Sequence, residues 1–243
     1  MAKKQRADIL LVERGYFESR ARARAAIEAG LVTADGEIVP KPSVALREDT
    51  ILEACAAHPY VSRGGVKLAA ALDAFGFDPA GRACLDIGAS TGGFSHVLLS
   101  RGARRVVAVD VGRKQLHAML KGEPRLVSLE SQDIRTFEAA RLEEKPSFIV
   151  VDVSFISLTH VLPAATRLAA PRAFLVGLVK PQFEAARAQI KKGIVRDPAV
   201  HQKACARIVE ALGALEWTVL GTITSPIRGG DGNLEFLVGA RRG

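Results

Sequence analysis

From residue 83 to the carboxyl end, short apolar runs alternate with helix-forming stretches. This alternation limits the chain to a narrow set of folds. Strands are expected at 83–87, 105–111, 125–129, 148–153, 173–179, 218–224 and 234–239. Helical stretches fall between most of them, at 94–101, 115–120, 158–169 and 200–214. The strand runs are almost unbroken in Val, Ile, Leu and Ala, as expected of strands covered on both faces. The pattern specifies an α/β domain, doubly wound around a mostly parallel, seven-stranded, Rossmann-like sheet. The last two strands are expected to be joined by a short turn, and so to pair antiparallel.

Residues 6–53 read differently, as a small α+β module. Asp8 is placed to cap a first helix through Leu10, Leu11 and Val12, with Gly15 ending it. Ser19 is placed to cap a second helix at 20–29, ended by Gly30. Short strands at 31–33 and 37–39 flank Asp35-Gly36, a hairpin signal, and a further strand fits 50–53. Pro59 and Gly64-Gly65 mark a connector ahead of a helix at 66–75. The resulting division is a first domain at 1–60, a connector at 61–66 and a second domain at 67–243.

The net charge of +8 favours a polyanionic partner, nucleic acid above all. Lys3, Lys4, Arg6, Arg14, Arg20, Arg22 and Arg24 crowd the first 24 residues, whereas residues 25–60 are predominantly acidic. Arg6, Arg20, Arg22 and Arg24 would lie on or beside helices of the first module, where they could meet phosphates. Aromatic residues make up 5% of the chain, too few for extensive base stacking on a sheet. Phe94, Phe155 and Phe183 are therefore read as core or pocket residues. Cys55, Cys84 and Cys205 are widely separated, which argues against a disulfide framework or a zinc site; no metal is expected. No apolar run is long enough for a bilayer-spanning helix, and no signal peptide follows the basic start. A cytoplasmic protein with no membrane partner is expected.

The strongest local motif is Asp86-Ile87-Gly88-Ala89-Ser90-Thr91-Gly92-Gly93-Phe94-Ser95, where the first long strand turns into a helix. Its glycine spacing, Gly-x-x-x-Gly-Gly, differs from the Gly-x-Gly-x-x-Gly that cradles a dinucleotide pyrophosphate. A ligand without a pyrophosphate, such as S-adenosylmethionine, suits it better. Asp110 after the second strand can accept from a ribose diol, and Asp133 after the third is placed to meet an adenine amino group. Asp152 and Lys180 follow the fourth and fifth strands, at the carboxyl edge where such sheets bind ligands.

Taken together, Asp86–Ser95, Asp152–Ser157, Lys180–Glu184 and Gly232-Asn233-Leu234-Glu235-Phe236 resemble the TlyA (hemolysin A) family of ribosomal RNA methyltransferases. The catalytic half is similar to the FtsJ/RrmJ ribose 2′-O-methyltransferases. The first module, with Ser19-Arg20-Ala21-Arg22 and Gly30-Leu31-Val32, resembles the S4 RNA-binding domain. The resemblance implies S-adenosylmethionine as methyl donor and cytidine ribose in ribosomal RNA, within one or both ribosomal subunits, as substrate. It implies a Lys-Asp-Lys-Glu tetrad, here Lys67, Asp152, Lys180 and Glu235, with Glu235 in the last strand. It places the cofactor on Asp86, Gly88, Ala89, Ser90, Thr91, Gly92, Gly93, Phe94, Asp110, Asp133 and Asp152. Arg63 joins the RNA-contacting arginines. Lys180 is expected to contact the target hydroxyl, either as a base or as a charge that stabilises the alkoxide.

Four other readings compete. A pseudouridine synthase can carry the same small RNA-binding module but needs no Gly-rich cofactor turn. A membrane-lytic protein, as the hemolysin name suggests, would need membrane-active segments. A non-catalytic RNA-binding protein would not need the tetrad. A dinucleotide-dependent reductase is disfavoured by the glycine spacing.

Overall fold

The computed structural model of the chain describes residues 4–54 and 56–243. Lys3 and Cys55, used in the sequence reading, lie outside those residues. The chain divides into two units, 1–59 and 60–243.

The first unit runs β1 (Lys4–Arg6), α1 (Ala7–Glu13), α2 (Arg20–Glu28), β2 (Val32–Ala34), β3 (Glu37–Ile38), β4 (Ala45–Arg47) and β5 (Leu52–Ala54). Leu10, Leu11, Phe17, Ala23, Ile27 and Val32 form its core. Ser19 caps α2 as expected, accepting the N–H of Arg22. Asp35 and Gly36 both take positive φ, the geometry of a tight hairpin turn, and Ala34 pairs with Glu37 across it.

Asp8 is not the cap of α1. The helix begins two residues earlier than an Asp8 cap would set it, at Ala7, and the chain at 42–44 satisfies its first donors. The N–H of Ala7 reaches the Val44 carbonyl and that of Asp8 reaches the Pro42 carbonyl. A capping side chain is therefore not needed. Asp8 is instead fully buried and binds two guanidinium groups, Arg6 at 2.9 Å and Arg20 at 2.8 Å. The antiparallel pairing of β1 with β4 also had no counterpart in the sequence reading.

The second unit opens with α3 (Gly64–Phe75), then β6 (Ala83–Ile87), α4 (Gly93–Ser100), β7 (Arg105–Val109), β8 (Leu126–Leu129) and β9 (Phe148–Val151). It continues with α5 (Leu162–Leu168), β10 (Ala173–Val179), α6 (Pro181–Glu184), α7 (Pro198–Ala214), β11 (Thr218–Thr224) and β12 (Phe236–Arg242). The strand order is β11-β12-β10-β9-β6-β7-β8, with β12 antiparallel to both neighbours and the other pairings parallel. This is the expected sheet. Alternate strand residues feed two cores. Cys84, Phe148 and Val150 face Leu68, Leu72 and Val97 of α3 and α4. Leu85, Ile149 and Val151 face Leu162, Ile208 and Leu212 of α5 and α7.

Three helical or loop expectations change. Only a single 3-10 turn, Ala118–Leu120, forms in the stretch 115–120. The backbone there is captured by Glu130, which accepts the N–H groups of Lys114, Gln115 and Leu116. The stretch 158–169 splits into a 3-10 turn, Leu158–His160, and α5, which carries proline in its first turn. Residues 225–235 form a loop rather than a short turn between β11 and β12.

Candidate active site

Strand order reverses at β6, which has β7 on one side and β9 on the other. A crevice opens at the carboxyl ends of strands at such a point. Gly88 occupies it with φ of +83°, and a Cβ there would stand 2.4 Å from the Asp152 carbonyl oxygen. The backbones after β6 and β9 thus approach closely, and only glycine permits it. Gly93 serves the same end at the head of α4, where a Cβ would collide with Ser62 Oγ.

Asp86 lies under this turn with no solvent exposure. Ser95 Oγ donates to its Oδ2 at 2.7 Å, and its Oδ1 has no partner. Burial pushes the carboxyl up to about 7; the Ser95 bond works against this, while the Asp152 charge adds to it. A buried carboxyl with one oxygen unmatched is suited to a cationic group arriving from the cleft.

That cleft has a volume of about 790 Å³. Gly88, Ser90, Asp110, Asp133 and Asp152, each expected from sequence, line it. Asp86, two residues before Gly88, is fully buried and does not itself line it. Ala89, Thr91, Gly92 and Gly93 complete the turn into α4 without lining the cleft, and Phe94 is buried in the core against Gly64. Asp110 accepts the N–H of Ser90 at 2.7 Å and that of Gly112 at 2.6 Å, which fixes its carboxylate at the cleft wall. Asp133 caps a 3-10 turn and pairs with Arg135 at 2.6 Å, which holds its carboxyl below the usual range. Gly112, Gln115 and Ile134 also line the cleft, and sequence reasoning missed them. Gln115 is placed by the Glu130 contact and Gly112 by its N–H bond to Asp110, which only folding reveals.

Two ion pairs stand at the strand ends. Lys180 ends β10 because Pro181 lacks the N–H to continue the ladder. Its Nζ is 2.7 Å from Asp152 Oδ1 and donates to Ser154 Oγ at 2.8 Å. Lys67, on α3, donates to Glu235 at 2.5 Å, and both are buried. Glu235 precedes β12 rather than lying within it. Because Val179 pairs with Phe236, the next residues outward, Lys180 and Glu235, face each other across the sheet edge. The four residues thus stand as two ion pairs, Asp152 with Lys180 and Lys67 with Glu235, at neighbouring strand ends.

Of the two places expected for Phe155, core or pocket, the structure gives the pocket. It is 93% exposed, takes a φ of +67°, lines the cleft and stands 5.3 Å from the Phe183 ring. A bulky residue in the left-handed region, presenting its ring to solvent, is strain kept at a functional edge.

Residues 60–242 match the model of the FtsJ-like methyltransferases, and residues 5–52 match the S4 domain. The 16S/23S rRNA (cytidine-2′-O)-methyltransferase TlyA of Mycobacterium tuberculosis is 42% identical over 99% of this chain and 91% of its own. The chain belongs to the TlyA family. Hemolysin A of Brachyspira hyodysenteriae is 38% identical over 96% of this chain and 98% of its own. A solved Streptococcus thermophilus protein described as a hemolysin is 41% identical, with a TM-score of 0.78 over 100% of this chain and 90% of that one. The hemolysin names belong to those relatives. Among the described residues of this TlyA-family chain, no helix is long and apolar enough to cross a membrane. Nor does any group of three or more His, Cys, Asp or Glu among them form a metal site.

The arginines of the S4 unit divide by what holds them. Arg6 and Arg20 spend guanidinium donors on Asp8 while about half of each side chain stays exposed. Arg24 lies 3.8 Å from Glu28 one helical turn away. Arg22, also on α2, is half-buried. In the methyltransferase unit, Arg63 donates to the Arg228 carbonyl at 3.0 Å, which ties the start of α3 to the loop before Glu235.

Proposed function

We propose that this chain transfers a methyl group from S-adenosylmethionine to the 2′-hydroxyl of a cytidine in ribosomal RNA. The observation that carries this reading is the two ion pairs, Asp152 with Lys180 and Lys67 with Glu235, at neighbouring strand ends beside an acidic cleft. The cleft residues fit the donor. Asp110 offers a fixed carboxylate to a diol, and the unmatched Asp86 oxygen offers a counter-charge to an ammonium. The donor supplies an electrophilic methyl group on a sulfonium.

A ribose hydroxyl is a poor nucleophile until its proton is lost. As the 2′-oxygen gains the methyl group, its proton passes to water. Negative charge that develops on that oxygen falls within reach of Lys180, whose ammonium Asp152 and Ser154 aim. Lys67 neutralises Glu235, so that the acid facing Lys180 does not repel the incoming oxygen. Phe155 offers a ring face on which the target base can rest. Arg22 and its neighbours in the S4 unit supply phosphate contacts. A ribosomal substrate places the reaction in the cytoplasm.

The test is transfer of labelled methyl to purified small and large ribosomal subunits. Label on cytidine ribose is expected. Lys180→Ala should lose about 10²–10³-fold of turnover, the range for removal of one preorganised donor, with cofactor affinity retained. Normal turnover by that variant would defeat the assignment of Lys180. No label on either subunit, with the cofactor bound, would defeat the substrate.

A further inference from the structure

Glu235 points towards α3, where it meets Lys67. Its neighbours turn the other way. Phe236 lies 5.6 Å from the His201 ring on α7, and both Leu234 and Phe236 line a second cavity of about 720 Å³. This cavity is separate from the methyl-donor cleft, with which it shares no lining residue. Ile194, Pro198, Leu234 and Phe236 give it apolar walls, and Arg196 and Arg228, both exposed, supply cationic groups at its edge.

The walls are built rather than incidental. Asn233, fully buried, accepts the N–H of Val195 at 3.0 Å and donates to the Gly193 carbonyl at 2.8 Å. His201 Nε2 contacts the Val195 carbonyl at 3.0 Å. Arg228 donates to the Gly232 carbonyl at 3.0 Å, and Gly229 donates to the Asn233 carbonyl at 2.9 Å. The loop before Glu235 and the segment before α7 are therefore pinned to each other around the opening.

Charge sorts the two cavities. The cleft beside Asp152 is lined by three aspartates and one arginine. The cavity behind Glu235 is lined by two arginines and no acid. A cationic donor suits the first, and an anionic ligand with an apolar ring suits the second. We infer that the cavity behind Glu235 receives a second nucleotide of the RNA strand, a neighbour of the one being methylated. Its base lies between Leu234, Phe236 and Pro198, and Arg196 and Arg228 meet its phosphates. This rests on the RNA methyltransferase reading above. Because Leu234 and Phe236 flank Glu235 in the chain, a nucleotide seated there would set the register of the strand against the tetrad.

The test uses the full chain and purified ribosomal subunits, with RNA affinity measured by filter retention apart from methyl transfer. Arg196→Ala removes one cation at the edge. Cys205→Trp fills the cavity from α7, and Cys205 touches none of the tetrad residues in the contacts above. Both variants should weaken RNA binding and raise KM for subunits about 5–20-fold, the scale of one lost phosphate contact or base-stacking site. Cofactor affinity and thermal midpoint should stay unchanged. Cys205→Trp changes volume inside the fold, so Arg196→Ala carries the test if the tryptophan variant melts early. Native RNA affinity in Arg196→Ala would overturn the inference, even if the native protein methylates ribosomal RNA. Loss of RNA affinity in the variants would sustain it, even if methyl transfer proved to need a different substrate. Protection of Cys205 from alkylation by free cytidine monophosphate, with none by RNA, would also overturn the assignment to an RNA strand.

Discussion

Each unit buries one aspartate completely, and the two are treated in opposite ways. Asp8 has no solvent exposure and is matched by Arg6 and Arg20, which hold its carboxyl below the usual range. Asp86 has no solvent exposure either, yet it receives one hydroxyl bond, leaves Oδ1 unmatched and is pushed up to about 7. Burial alone raises any carboxyl; what differs is the partner. In the S4 unit the charge is complete, and it ties the start of α1 to the start of α2. In the methyltransferase unit the charge is left incomplete beside a cleft, where a cationic ligand can complete it. A buried acid whose needs are met is architecture, whereas one whose needs are unmet marks a binding site.

The comparison breaks most clearly on the same substitution made twice. Asp8→Asn should destabilise the S4 unit by about 2 kcal/mol, because a hydrogen bond to a charged group is worth about 1.5–3 kcal/mol, one guanidinium partner keeps the amide oxygen and the other, half-exposed, turns to water. Asp86→Asn should do the reverse at pH 8 without cofactor, raising stability by about 1 kcal/mol. The pKa shift would suggest more, but the amide brings an N–H that finds no partner. Urea denaturation of both variants checks the signs. Loss of stability in both would mean that Asp86 is as well matched as Asp8.

The pH dependence of the two units should also diverge. Asp8 is lowered, so its contribution is present above the ordinary carboxylate range and is lost as pH falls through it. Asp86 is raised, so the folded state holds its proton between about pH 4 and pH 7 while the unfolded chain has released it. The unit therefore loses stability as pH rises across that window. Acidification from pH 7 to pH 5 should raise the melting temperature of the methyltransferase unit and leave the Asp8 contribution to the S4 unit intact. The Asp86→Asn variant should lose the first effect.

The role of Asp8 was not legible from the sequence, whereas Asp86 already stood in the expected cofactor turn and only its unmatched oxygen was hidden. Asp8 stands where a cap belongs, and its actual partner, Arg20, is 12 residues away on another helix. What could be read were patterns with a period or a fixed spacing. The apolar runs fixed all seven strands of the large sheet to within a few residues, because strands covered on both faces leave little room for polar residues. The turn from Asp86 to Gly93 stood out because close backbone approach demands glycine. The pairing of β1 with β4 was invisible, since three-residue strands with mostly exposed side chains carry no period. Phe155 was placed in core or pocket, and it lines the cleft, but its exposure depends on a left-handed backbone that no propensity signals. The Glu130 contacts were missed because one carboxylate gathering three N–H groups looks, in sequence, like any surface acid.

The smallest effect is the sharpest test of what Asp86 awaits. A cationic donor prefers its ionised form, so cofactor affinity should rise with pH up to about 7 and level off above it. Binding at pH 6.5 should then expel a fraction of one proton from Asp86, as linkage requires. Calorimetric titration with S-adenosylmethionine in two buffers of different ionisation enthalpy would count that proton. The native protein should show a release that shrinks at pH 8.5, where Asp86 has already ionised, and Asp86→Asn should show none at either pH. A release of the same size in the variant would move the proton to another group. No release in the native protein would mean that the carboxyl stays protonated around its ligand, and that the cation is balanced by Asp110, Asp133 or Asp152 at the cleft wall.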